Sequence, residues 1–259
     1  MQSQNQTALI TGASSGIGKA FATKLASQGY NLVLVARRES LLKQVCQELE
    51  KKYKIKAEPV FIDLSDEKQL EKLEEKLRKS KPEILINNAG YNRLFYFHKD
   101  SIQEQEKILR THVLATIRLC HAAIPAMLAR KKGIIINTSS ISAYYIGPNT
   151  NMYSATKAFL HSFSQSLYLE LQGTGIQVQS LLPGFTATDF HKKLGNPNSK
   201  PRFMSLMQPE QVVEASFSCL KKNKPICIPG FRNKLLILAF RFMPRKLLYK
   251  FVMRGKLAR

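Results

Sequence analysis

The sequence lacks what several function classes require. Its four cysteines, Cys46, Cys120, Cys219 and Cys227, stand far apart and show neither metal-ligand nor dithiol spacing. That argues against a zinc module or a disulfide scaffold and suits a reducing compartment. Residues 1–6 are polar and carry no basic run, so they do not resemble a targeting signal, and a cytoplasmic setting is the expectation. The longest strongly apolar stretch near the end, residues 235–240, is closed by Lys234 and Arg241 and is far too short to cross a bilayer. Repeats and low-complexity linkers are missing as well. Acidic residues are scarce toward the end: from His191 onward there are 16 Lys/Arg against Glu210 and Glu214, and after Gly230 there are nine Lys/Arg and no acid.

What is present is enough for one large folded domain. The chain has 259 residues, 44% of them hydrophobic, which excludes disorder as the main state. The formal net charge is +22, a surplus that points to an anionic partner. Strand-like runs at 8–11, 32–36, 57–62, 84–87, 133–138, 176–182 and 225–228 alternate with helical patterns at 17–28, 40–52, 66–79, 103–130, 153–172 and 209–221. In the third helix Leu70, Leu73 and Leu77 share one face, and Ser65 is the expected N-cap. Such regular alternation implies right-handed βαβ crossovers and a mostly parallel sheet.

The first strand runs into Thr11-Gly12-Ala13-Ser14-Ser15-Gly16-Ile17-Gly18 and then a helix. Glycines at this junction let the backbone turn tightly and approach a pyrophosphate, whose charge meets the amides of the helix N-terminus. The second strand ends in Arg37-Arg38, where an NAD site usually carries an acid for the ribose hydroxyls. Two guanidiniums suit a 2′-phosphate instead, so NADP(H) is the expected cofactor. Tyr153 and Lys157 lie four apart at the start of a helix and share a face. A nearby ammonium would favour phenolate and lower the phenol pKa, fitting Tyr153 for proton transfer. Ser140, thirteen residues upstream, ends the fifth strand, where open α/β sheets bind ligands. Ser139 beside it reads as a strand-end hydroxyl that caps the chain.

These elements, with Asp63-Leu64, Asn87-Asn88-Ala89-Gly90 and Pro183-Gly184-x3-Thr188, occur in one order over residues 6–228. In that order and spacing the chain resembles the short-chain dehydrogenase/reductase family. The resemblance implies an α/β fold with a Rossmann-type, doubly wound sheet of seven parallel strands, in a single domain with a C-terminal helical extension. It implies hydride transfer between a nicotinamide and a carbonyl or alcohol. Tyr153 would be the acid/base, Ser140 would hydrogen-bond the substrate oxygen, and Lys157 would bind the nicotinamide ribose. Gly12, Ser14, Ser15, Gly16, Ile17 and Gly18 would cradle the phosphates, and Asp63 with Leu64 would meet the adenine. Asn88, Ala89 and Gly90 would support the adenosine side, and Pro183, Gly184 and Thr188 would flank the nicotinamide. The family's helical Asn that anchors a relay water is replaced here by His112, which reads either as a relay imidazole or as a buried structural histidine. A homodimer or homotetramer is the family expectation.

The segment 185–208 is expected to be a lid, with Phe185, Phe190, Leu194, Phe203, Met204, Leu206 and Met207 offering an apolar surface to a lipophilic carbonyl. Such residues serve equally as packing. The leading reading is NADPH-dependent reduction of a lipophilic ketone or aldehyde. The alternatives are an alcohol or hydroxysteroid dehydrogenase working oxidatively, and a membrane-associated nucleotide-binding scaffold with little turnover. The division is 1–230 for the catalytic domain and 231–259 for the tail. In the tail Leu247, Leu248, Phe251, Val252 and Leu257 recur near helical spacing among Arg245, Lys246, Lys250 and Arg254. The tail reads as a basic amphipathic helix for peripheral contact with an anionic membrane, or as a helix packed on the domain or on another subunit. Nucleic acid is disfavoured, since no stacking platform or known module accompanies the charge.

Overall fold

The computed structural model describes residues 6–188 and 206–257. Seven parallel strands form one sheet in the order β3-β2-β1-β4-β5-β6-β7. They are β1 (Thr7–Thr11), β2 (Asn31–Ala36), β3 (Ala57–Phe61), β4 (Ile84–Asn87), β5 (Gly133–Thr138), β6 (Ile176–Leu181) and a short β7 (Ile226–Cys227). Both faces of the sheet are covered, so β1, β2, β4 and most of β5 are largely apolar, as buried parallel strands tend to be, whereas β6 buries Gln179 through a hydrogen bond to the Ser216 carbonyl. Alternate residues serve opposite cores. Ala8, Ile10, Leu32 and Leu34 pack with α1 (Gly16–Ser27), α2 (Glu39–Tyr53) and the helix Pro209–Lys221. Leu9, Val33 and Val35 pack with α3 (Glu67–Ser80) and with the helices that follow β4 and β5.

The chain winds outward from β1 to β3, then crosses back to place β4 on the other side of β1. The crevice beyond the ends of β1 and β4 is therefore the switch point, where this sheet type takes its ligands. Residues 103–130, expected as one helix, run as α4 (Ile102–Leu109), a π turn (Arg110–Leu114) and α5 (Ala115–Ala129). The stretch Ile102–Ala129 is long and apolar enough to cross a membrane by length and composition, yet half of it is buried inside the fold, where it packs on α3, β4 and β5. The expected N-cap at Ser65 moves by one residue. Asp66 caps α3 by accepting from the Gln69 amide at 3.0 Å, while Ser65 turns back to Asp63.

After β5 come a 3-10 turn (Ile141–Ala143) and α6 (Asn151–Glu170). The helix Pro209–Lys221 is α7, and the tail forms α8 (Phe231–Phe242) and α9 (Arg245–Leu257). Helix α8 packs on the domain through Asn233, Ile237 and Phe240, so position 230 separates sheet from helical extension rather than two independent bodies. Cys219 and Cys227, eight residues apart, are free thiols in hydrogen-bond contact, and burial pushes the Cys227 thiol well up.

Candidate active site

The glycine loop closes on itself. Gly12 and Gly16 have φ of 68° and 56°, in the left-handed region that favours glycine. A Cβ on Gly18 would lie 2.3 Å from the Gly12 carbonyl oxygen, so that turn admits no side chain. The loop is stitched to the end of β4. The Thr11 hydroxyl accepts from the Asn88 and Ala89 amides at 2.9 and 3.0 Å, and the Asn88 side chain donates to the Thr11 carbonyl at 3.1 Å. Ile17 packs partly on the core below, which leaves its backbone to face the loop. Thr188 stands against Gly16, since a Cβ there would meet its Cγ2 at 2.8 Å.

The two arginines after β2 separate. Arg38 lies on the glycine loop, donating to the Ser14 hydroxyl at 2.9 and 3.2 Å and to the Ser15 hydroxyl at 2.5 Å. Arg37 is more exposed. It pairs with Asp63 at 3.4 Å and lies over the Tyr91 ring. Burial works to raise the Asp63 carboxyl, but the Ser65 hydrogen bonds and the Arg37 charge outweigh it and hold the group below its ordinary range. A groove of about 410 Å³ opens beside Asp63, Ser65, Asp66 and Gln69 toward Arg110. Leu64 is buried in the core with Leu70 and Leu73, which leaves only its backbone for a ligand.

At the end of β5 the structure brings Ser140, Tyr153 and Lys157 together. Ser140 accepts from the Ser142 amide and hydrogen-bonds the Tyr153 phenol. The Lys157 ammonium donates to the Thr138 carbonyl at 2.7 Å and lies 5.7 Å from the centre of the Tyr153 ring. Ser139 donates to the Lys157 carbonyl at 2.6 Å and so fixes the helix to the strand end. The expected lowering of the phenol is not seen in the protein alone. Burial raises Tyr153 to about 12, with Ser140 pulling weakly the other way, and burial lowers Lys157 to about 7. The ammonium sits over the ring face rather than at the hydroxyl, so its charge helps the phenolate little.

His112 lies in the π turn, a feature frequent at functional sites. Its Nε2 accepts from the Tyr91 amide at 3.0 Å. That puts the ring proton on Nδ1, which donates to the Thr156 hydroxyl at 2.9 Å, and Thr156 donates in turn to the Tyr153 carbonyl. Both ring nitrogens are therefore engaged by the protein, and neither remains for a relay water. Burial first, then the Lys157 charge, drives the imidazole well below its ordinary range, so it stays neutral. Of the two sequence alternatives, the geometry favours the structural histidine, here tying the end of β4 to the catalytic helix.

Pro183 and Gly184 follow β6. The Ile141 amide donates to the Pro183 carbonyl at 3.1 Å, and the Asn233 side chain of α8 fills the space beside Gly184. Tyr91, Thr156 and Asn233 are the contributors that sequence reasoning missed. Thr156 could have been found, because it sits between Tyr153 and Lys157, three residues from the first. Of the expected lid residues, Phe190, Leu194, Phe203 and Met204 lie outside the described residues. Met207 pairs in parallel with Thr186 and packs on the core, so it anchors the loop, whereas Leu206 is exposed.

The sequence matches the short chain dehydrogenase family over residues 6–199. The chain belongs to that family. It is 35% identical to the very-long-chain 3-oxoacyl-CoA reductase of Bos taurus over 189 residues, which is 71% of this short-chain dehydrogenase and 61% of the cattle protein. The match thus spans less than two thirds of that relative's length. It is 31% identical over 256 residues to very-long-chain 3-oxoacyl-CoA reductase-B of Danio rerio, covering 95% of this chain and 78% of the other. Among solved structures, a short-chain dehydrogenase from Sphingobium yanoikuyae in complex with NADPH superposes with a TM-score of 0.83 at 30% identity, over 98% of this chain and 95% of that one. The bulky-bulky ketone specific alcohol dehydrogenase from Comamonas testosteroni gives 0.79 at 30% identity, over 98% and 93%.

Proposed function

We propose that this chain reduces a lipophilic ketone or aldehyde to its alcohol with NADPH. The observation that carries the reading is the hydrogen-bonded Ser140–Tyr153 pair beside Lys157 at the strand ends, facing a glycine loop on which Arg38 rests. The residues present fit a phosphorylated dinucleotide. The loop's glycines form a cradle that a Cβ would fill, the buried Thr138 hydroxyl has no partner among the described residues, and a buried ammonium stands next to it. Arg38 and the loop amides would hold the phosphates, Lys157 the nicotinamide ribose, and Thr188 the region over Gly16. Bound there, NADPH supplies a hydride for the carbonyl carbon.

The chain's own residues supply the rest. The Ser140 hydroxyl and the Tyr153 phenol polarise the carbonyl oxygen, and the phenol delivers its proton as negative charge develops there. Burial keeps the phenol protonated, so it enters the reaction with a proton to give. Lys157 contributes by holding the nicotinamide ribose rather than by placing its charge at the phenol hydroxyl. His112 acts on Tyr153 through Thr156 as a positioning residue. The relatives named for 3-oxoacyl-CoA and for bulky ketones support a bulky, lipophilic carbonyl.

The test is NADPH oxidation against a panel of long-chain and aromatic carbonyls. Tyr153→Phe should keep cofactor binding and lose turnover by ~10²–10⁴-fold, the usual worth of a positioned acid. Turnover by the variant at the wild-type rate removes Tyr153 from the mechanism.

A further inference from the structure

Helix α8 is apolar on two opposite sides. Asn233, Ile237 and Phe240 face inward and are buried. Phe231, Leu235, Leu238 and Phe242 follow at i, i+4, i+7 and i+11, a single stripe at helical period. All four point outward, with Phe231 73% and Phe242 76% exposed. A surface helix normally presents polar residues there, so this stripe is paid for in solvent contact unless something covers it. Arg232 flanks it on one side, Lys234 and Arg241 on the other. In α9, Leu247, Tyr249 and Met253 are exposed as well, among Arg245, Lys246 and Lys250.

The charge identifies the partner. Nine Lys/Arg and no acid lie in residues 231–259, so a second copy meeting this surface with its own tail would bring like charges together. An anionic bilayer instead matches both features. Its headgroups attract the cations, and its acyl boundary receives the stripe while the basic side chains reach back to the surface. We propose that α8 and α9 form a peripheral docking surface for an anionic phospholipid membrane, with Phe231, Leu235, Leu238 and Phe242 inserted. The inner face of the same helix borders the reaction site: Phe240 stacks on Tyr145 at 5.5 Å, and Asn233 fills the space by Gly184. On the function proposed above, docking holds the substrate side of the molecule toward lipid, the phase that concentrates a lipophilic carbonyl.

Co-sedimentation of the full chain with phosphatidylcholine vesicles, with and without phosphatidylglycerol, tests this. Binding is expected only with the anionic lipid, and it should weaken as salt rises. Lys234→Gln or Arg241→Gln should lower partitioning about fivefold each. Leu235→Ser with Leu238→Ser should lower it by at least about tenfold, while turnover of a water-soluble carbonyl stays at the wild-type level, since neither leucine touches the site. Indifference of the wild type to anionic vesicles overturns the proposal, as does equal binding by the double leucine variant. A dimer that falls to monomer in that variant, on size exclusion, gives the stripe to a second copy and also overturns it. A failed function reading would show separately, as no NADPH oxidation with any carbonyl whether or not vesicles bind.

Discussion

Arg37 and Arg38 are adjacent in sequence but engage different partners. Arg38 bridges two serines of the glycine loop, whereas Arg37 is drawn to Asp63 and the Tyr91 ring. Charge-assisted hydrogen bonds are worth about 1.5–3 kcal/mol. Arg38→Ala should therefore weaken NADPH about 10- to 100-fold and NADH little, with Arg37→Ala costing less, as read by fluorescence titration of the two cofactors. Equal losses for both cofactors would place Arg38 in the scaffold of the loop rather than against a 2′-phosphate. His112 raises a separate question at this scale. His112→Ala strands the Tyr91 amide, at about 1–3 kcal/mol, and removes one of the two hydrogen bonds of the Thr156 hydroxyl, which still donates to the Tyr153 carbonyl. Urea unfolding should report that loss. The rate profile near neutrality should carry no inflection from this imidazole, because burial holds it well below its ordinary range.

The glycine loop and the helix after β4 are the elements that carry the site. Gly18→Ala would drive a methyl group into the Gly12 carbonyl. The loop must open to accept it, so cofactor binding should fall below detection in a calorimetric titration while the distant sheet core stays folded by circular dichroism. The π turn is the second decisive element. Its wider turn falls at His112, which is buried and reaches both the Tyr91 amide and Thr156. Periodicity could not reveal it, since one residue of extra winding scarcely disturbs an apolar pattern spread over 103–130.

The whole molecule buries cations at a cost. Lys157, His112 and His161 all have pKa values lowered by burial, so each binds fewer protons folded than unfolded near neutrality. The sign follows from linkage. Stability rises with pH wherever the unfolded chain holds more protons. For the two histidines the penalty is felt below their unfolded pKa of about 6.5. For Lys157 it is relieved as pH climbs above about 7. The melting temperature of the cofactor-free protein should therefore increase from pH 5 to pH 8, and Lys157→Met should flatten the upper part of that rise. A melting temperature that falls over this range would contradict the burial of these groups. The net charge of +22 adds self-repulsion in the same direction as pH drops.

The sequence by itself determined the periodic features. Short apolar runs marked all seven strands within a few residues, because strands covered on both faces are mostly apolar, and the glycine spacing marked the phosphate loop, because a tight turn excludes side chains. Tyr153 and Lys157 were legible since a helix places i and i+4 on one face. Only the tertiary structure decided the contacts between elements far apart in the chain. It split Arg37 from Arg38, since Asp63, 26 residues from Arg37, pairs with it while Arg38 lies on the serines of the glycine loop. It took the ring nitrogens of His112 through Tyr91 and Thr156, and it turned one stripe of α8 outward while burying the other. Burial likewise set the protonation of Tyr153 and Lys157 against the expectation from their pairing, because desolvation depends on everything packed around a group, and a sequence states only what stands beside it in the chain.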